Sequence, residues 1–352
     1  MTDDRARTSR FLADLVHVAP HRFDPALGIG GAALLVGPLI AGQLLGLGTA
    51  AVLVAFGVLN LLFATLPRPQ ATPPRVALVA VLTNAAGFTV GSLLFHLPVV
   101  LELPLTAVAV TGMLLAGRHP HWENLGGMAA VMLVIGIGLP APDLGAIPLR
   151  SVEIAVGGGL GWLGWLALTR SLPPLRGGAT ASSEALPAAA VPLRTTLPYA
   201  TVVGIAVAAG LGIGLGLGLA RDYWVMLTVV VALRQEWSST FAFAIARIVG
   251  TVTGATLAFF VTGYVSTPAI LLLVFFASAA LTISTRAVNA TLYAVWVTVF
   301  VIGLLNLLYA GGPGYALLRI LDTLIGGGLA LVAGAGLSLA YRHRHATHLA
   351  PA

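Results

Sequence analysis

The chain contains no cysteine and no lysine. Without cysteine there is no disulfide, no thiolate nucleophile and no cysteine-ligated metal. Without lysine, all 18 basic residues are arginine, which reads as codon bias and carries no chemistry by itself. Charge of either sign is scarce, at 9% of residues, where a soluble domain has about 25%. Also missing are a hydrolase motif, a phosphate-binding loop and a dinucleotide fingerprint. The glycine runs lie inside apolar stretches and follow no strand, so they are not cofactor loops. An enzyme has no motif to stand on here, and neither cofactor nor metal is implied. The net charge of +6 does not point to nucleic acid, because the arginines are scattered between apolar runs, where the positive-inside rule expects them.

What the chain has instead is apolar sequence. Hydrophobic residues make up 58% and mean hydropathy is +0.97. Runs of about 20 residues recur from Ala26 to Ala340, each long enough to cross a bilayer, with room for about twelve spans. They are far longer than the alternating ~10-residue strands of an outer-membrane barrel, so the spans are helices. The expected fold is all-α and polytopic, with the lipid bilayer as the first partner.

Residues 1–25 read as a cytoplasmic N-terminal tail, since no short apolar core with a cleavage site precedes the first span. Residues 26–170 form a first membrane region and 196–341 a second. Between them, 171–195 is a linker rich in Pro, Ala, Ser and Gly, too short for a domain. Residues 342–352 are a C-terminal tail. Tyr223 to Leu233 is short for a span and reads as re-entrant or tilted. Arg234 to Arg247 reads as an amphipathic helix partly in the interface. With the N-terminus inside, Arg68, Arg75, Arg118, the linker, Arg234, Arg286, Arg342 and Arg344 all fall inside, which makes both termini cytoplasmic.

One segment occurs twice. Arg319-Ile-Leu-Asp322-Thr-Leu-Ile-Gly326-Gly-Gly328 repeats Arg150-Ser-Val-Glu153-Ile-Ala-Val-Gly157-Gly-Gly159. Acid follows arginine by three residues and glycine follows acid by four, so all three line one helical stripe. Asn84-x-x-Gly87-x-x-x-Gly91 likewise parallels Arg247-x-x-Gly250-x-x-x-Gly254, and Asn124 parallels Asn289. The halves therefore read as two six-helix repeats, about twelve spans in all. An even span number gives them one orientation and a pseudo-twofold axis along the membrane normal, with the pathway between them.

The stripe carries the candidate chemistry. A carboxylate at mid-helix costs about 2.5 to 3.5 kcal/mol on insertion scales, so intramembrane ionisable groups are functional candidates. Asp322 and Glu153 are candidate proton-coupling sites, and Arg319 and Arg150 candidate anion-binding residues. The plainer alternative is a self-neutralising i,i+3 pair with glycines for close packing. Arg247 is a further anion-binding candidate, or else an interfacial arginine that snorkels. Gly250, Gly254, Gly157 and Gly326 are expected to pack helices. Glu102 reads as an interfacial acid. His119, His121, His343, His345 and His348 have metal-like spacing but no acids at ligand spacing, and solvated side chains are the plainer reading. Trp162, Trp165, Trp224 and Trp296 suit membrane interfaces, with no further role implied.

At Asp222-Tyr-Trp-Val-Met-Leu-Thr, at Arg247-Ile-Val-Gly-Thr-Val-Thr-Gly254 and at Arg319-x-x-Asp322-Thr-x-x-Gly326, the chain resembles the FUSC family of fusaric acid resistance and aromatic acid exporter proteins. The resemblance covers Leu197 to Ala340 and rests on the internal repeat before that. It implies a bacterial inner-membrane transporter exporting aromatic or other organic carboxylic acids, with Arg247, Arg319 and Asp322 carried over as its candidate residues. Plant aluminium-activated malate transporters resemble the same module, which makes an anion channel the alternative. A membrane scaffold without flux is the third reading. Many members carry a large cytoplasmic domain where this chain has only its linker. The oligomeric state, a periplasmic adaptor and the energy coupling stay open.

Overall fold

A computed structural model describes residues 19–65, 74–117, 123–171, 191–219, 223–234, 237–265, 267–309 and 314–349. The readings made above for the first 18 residues, Arg68, Arg118, His119, His121, residues 172–190 and Arg221–Asp222 lie outside the described residues, as do the side chains of Asn124, Arg342, His343, Arg344, His345 and His348.

The described residues contain twelve α-helices and no strand. In chain order they are α1 Pro25–Leu44, α2 Thr49–Thr65, α3 Pro74–Phe95, α4 Val99–Ala116, α5 Glu123–Gly138, α6 Ile147–Ser171, α7 Leu193–Gly216, α8 Tyr223–Ala232, α9 Trp237–Tyr264, α10 Pro268–Thr285, α11 Ala290–Tyr309 and α12 Gly314–Leu349. Their boundaries follow from local chemistry. Asp24 caps α1 by accepting from the Leu27 amide at 2.9 Å, with Pro25 in the first turn. Gly46 and Gly48 turn the chain into α2 with φ of 68° and 51°, a region open to glycine. Seven helices (α1, α3, α4, α6, α7, α9 and α12) are long and apolar enough to cross a membrane. The other five are apolar but shorter over their described residues.

Of the stretch expected to form an amphipathic helix, Arg234 to Arg247, residues 237–247 are helical and form the first part of α9, one unbroken 28-residue helix. The reason is local: no Pro or Gly interrupts the chain between Trp237 and Arg247, so nothing stops the helix.

Pairing recurs between residues 25–171 and 193–349. α2 packs on α6 and α8 on α12; α3 packs on α5 and α9 on α11; α3 also packs on α6, and α9 on α12. Glycines make the closest contacts. Gly87 and Gly91 of α3 lie against the backbone of Ala129 and Leu133 in α5, and Gly250 and Gly254 of α9 against Thr291 and Val295 in α11. Gly157 of α6 lies on Val54, and Gly326 of α12 on Val225. Register advances in the same direction on both partners, so α3 runs parallel to α5 and α9 to α11. The two halves meet reciprocally, α4 on α7 and α1 on α10, with α5 reaching α8.

Hydrogen bonds identify one end of the bundle. Ala19 donates to the Val288 carbonyl at 3.1 Å. The Ser284 hydroxyl donates to the Asp24 carbonyl at 2.9 Å. The Tyr199 hydroxyl reaches the Leu233 carbonyl at 3.0 Å, and Tyr341 reaches that of Thr195 at 3.0 Å. The start of α1, the ends of α8 and α10 and the start of α7 therefore share one face, toward which the last turns of α12 also run.

Candidate anion site between the halves

The site is organised by α8. Ten residues at 1.5 Å each make it about 15 Å long, half of a ~30 Å hydrocarbon core. Tyr223, Trp224, Val225, Met226, Thr228, Val229 and Val230 are all buried, so protein surrounds this short helix. The free carbonyls and amides at a helix end need partners. Here the Leu233 carbonyl accepts from Tyr199. The Arg234 amide donates to the Thr240 hydroxyl at 2.9 Å, and the same hydroxyl donates to the Arg234 carbonyl at 3.1 Å.

Beside α8 lies a cavity of about 290 Å³, walled by α2 and α5 from the first half and by α8, α9, α11 and α12 from the second. Most of its wall is apolar or aromatic, including Phe56, Leu227, Val231, Tyr293 and Val301. Set into it are Arg234, Arg247, Arg286 and Arg319, and no carboxylate lines it among the described residues. An apolar hollow with a few convergent charged groups is the usual form of a small-molecule site.

Each guanidinium is held differently. Arg319 is 3% exposed and lies over the Trp224 ring at 4.9 Å, a cation–π contact. Its Nε and Nη1 have no hydrogen-bond acceptor among the described residues. Arg247 is 6% exposed, and its Nε likewise has none. Arg286 follows α10; its Nη2 donates to the Phe63 carbonyl at 2.9 Å, and the group sits 4.8 Å over the Phe63 ring. Phe63 in turn meets Tyr293 edge-on at 5.8 Å. Arg234 lies 4.6 Å over Phe243. Buried cationic N–H groups without acceptors are costly, and an anion in the cavity would supply the acceptors.

The two stripe copies end in different surroundings. Asp322 is fully buried one turn beyond Arg319, next to the turn where Gly326 packs on α8. Arg150 and Glu153 form an ion pair at 3.0 Å, with side chains 23% and 14% exposed, and neither lines the cavity. Asn84, the counterpart of Arg247, is also buried but lies outside the cavity wall. The structure thus brings Arg247 and Arg319 together and leaves Arg150 and Glu153 apart from them. Gly250, Gly254, Gly157 and Gly326 are all at helix crossings.

Three participants escaped the sequence reading. Trp224 suited a membrane interface, yet it is buried under Arg319 because α8 is enclosed by protein. Arg234 and Arg286 each follow an apolar run, where the positive-inside pattern places arginines in any case. Nothing in the sequence separates them from solvated loop arginines.

Residues 205–333 match the family described as fusaric acid resistance protein-like. This stretch of the chain is similar to the FUSC family. The matched FUSC segment contains α8 to α11 whole and carries Arg234, Arg247, Arg286, Arg319 and Asp322; Arg150 and Glu153 precede it. No curated protein and no solved structure matches the chain. The FUSC-like segment and the apolar helices together point to a multi-pass membrane protein of transporter type.

Proposed function

We propose that this protein exports aromatic or other organic carboxylic acids across a bacterial inner membrane, driven by the proton gradient. The observation that carries the reading is the cavity: an apolar, aromatic hollow at the junction of the two halves, lined by four arginines and, among the described residues, no acid. Such a wall suits a ligand with an apolar body and a negative charge. Arg247 through Nε, and Arg319 through Nε and Nη1, which have no acceptor among the described residues, bind the carboxylate. Asp322, the nearest carboxylate along α12, takes up and releases the coupling proton. Arg150 and Glu153 neutralise each other on α6 and hold that helix.

In this reading α1–α6 and α7–α12 are two parallel six-helix repeats spanning the membrane twelve times. The recurring pairings and glycine registers support it. The face holding Arg22, Arg234 and Arg286 is cytoplasmic by the positive-inside rule. Substrate enters from that side past Arg234 and Arg286.

The test is flux of benzoate in proteoliposomes, with and without an imposed pH gradient, for wild type and Asp322→Asn. The exporter accumulates benzoate against its gradient, and the variant does not. Passive flux that ignores the pH gradient and survives Asp322→Asn would identify an anion channel instead. Absence of flux for every carboxylate tried would sink both readings.

A further inference from the structure

We infer that the cavity is built for a dianion: an apolar body of about two rings with an anionic group at each end. The inference rests on the transport reading above and narrows its substrate.

Charge balance comes first. Four guanidiniums line the cavity without a lining carboxylate among the described residues, and Asp322 stands one turn from Arg319. A single carboxylate plus Asp322 would leave a surplus of positive charge in a low-dielectric wall, where like charges repel strongly and unpaired ones are costly. A second negative charge on the ligand reduces that surplus.

The arginines are also sorted by depth. Arg234 directly follows the last turn of α8, and Arg286 is tied to Phe63 at the face shared with Leu233. Arg319 lies over Trp224, in the first turn of α8. The two ends of α8 are about 15 Å apart along the backbone. Apart from the arginines, the wall is mostly apolar, with Phe56, Leu227, Val231, Val297 and Val301, and its uncharged polar side chains include Asn60, Tyr293 and Thr298. Positive ends with a mostly apolar wall are the complement of a ligand charged at both ends and apolar between. Size agrees. A dry apolar cavity of about 150 Å³ holds benzene, and this one is about 290 Å³, which leaves room for a second ring.

The experiment compares biphenyl-4-carboxylate with biphenyl-4,4′-dicarboxylate on the purified full-length protein in lipid nanodiscs. Affinity and stoichiometry are read by calorimetry, and transport is read in parallel in proteoliposomes. The dicarboxylate is expected to bind at least tenfold more tightly, one per protein. In Arg234→Gln and in Arg286→Gln the ratio of the two affinities falls toward one. A general loss of fold would weaken both ligands and leave the ratio alone. If Arg286→Gln fails to fold, Arg234→Gln decides, since Arg234 is exposed and its side chain lies over Phe243. Equal affinities in wild type, an unchanged ratio in Arg234→Gln, or two monocarboxylates bound per protein would overturn the inference while leaving carboxylate transport standing. If neither compound binds or moves, the transport reading falls and takes the inference with it.

Discussion

Arg319 and Arg150 occupy matching places in a repeated segment, yet their surroundings assign them different work. Arg150 has a partner 3.0 Å away and is only partly buried. Arg319 is buried with N–H groups left over. Replacing Arg150 and Glu153 together with Gln removes a partly exposed ion pair without stranding its carboxylate, a change worth about 0–1 kcal/mol. The expected result is a small drop in melting temperature and unaltered benzoate transport. Hydrogen bonds to charged groups contribute about 1.5–3 kcal/mol, so Arg319→Gln and Arg247→Gln should each raise the half-saturating benzoate concentration about tenfold or more. At this scale the sequence was informative where a charge interrupts an apolar run, as at Arg247, Arg319 and Asp322. It was silent on Arg234, Arg286 and Trp224, because their roles depend on which helices fold over them.

At the scale of elements, the glycine triplets separate into positions that matter and positions that do not. A Cβ on Gly157 would press into the Val54 backbone, and one on Gly326 would meet the Val225 carbonyl at 2.6 Å. A Cβ on Gly159 or Gly328 would meet nothing within 4 Å. Overpacking of this kind costs about 1–3 kcal/mol. Gly157→Ala and Gly326→Ala should therefore lower the melting temperature in detergent, while Gly159→Ala and Gly328→Ala leave it unchanged or raise it slightly. The short α8 depends on Thr240, which satisfies both backbone groups of Arg234. Thr240→Val keeps the shape and strands those groups. A loss of about 1–3 kcal/mol follows from leaving buried polar groups unpaired, measurable as a lower unfolding midpoint. The helix boundaries were legible from apolar runs bounded by Pro, Gly and Arg, and the brevity of α8 was visible as eleven apolar residues before Arg234. That α9 begins at Trp237 and continues through Arg247 was not, because its polar first turns look interfacial until α8 is seen beside them.

At the scale of the whole molecule, helices from both halves enclose one cavity. The first half supplies α2 and α5, which carry mostly apolar and aromatic wall, and the second supplies every lining arginine. The family match at residues 205–333 contains all four lining arginines. The repeated spacings made a junction between halves foreseeable. Which half would supply the charge was not, since both copies carry arginine and acid at the same spacing.

The central claim is that substrate passes through this cavity, and the absence of cysteine makes one measurement direct. A single cysteine at Val231, in the cavity wall, is labelled with a bulky methanethiosulfonate reagent in proteoliposomes, with Ser171→Cys at the exposed end of α6 as the control. The account predicts that labelling at position 231 abolishes benzoate flux, that benzoate slows the labelling, and that labelling at 171 does neither. Full labelling at position 231 with undiminished flux would contradict it and place the path elsewhere.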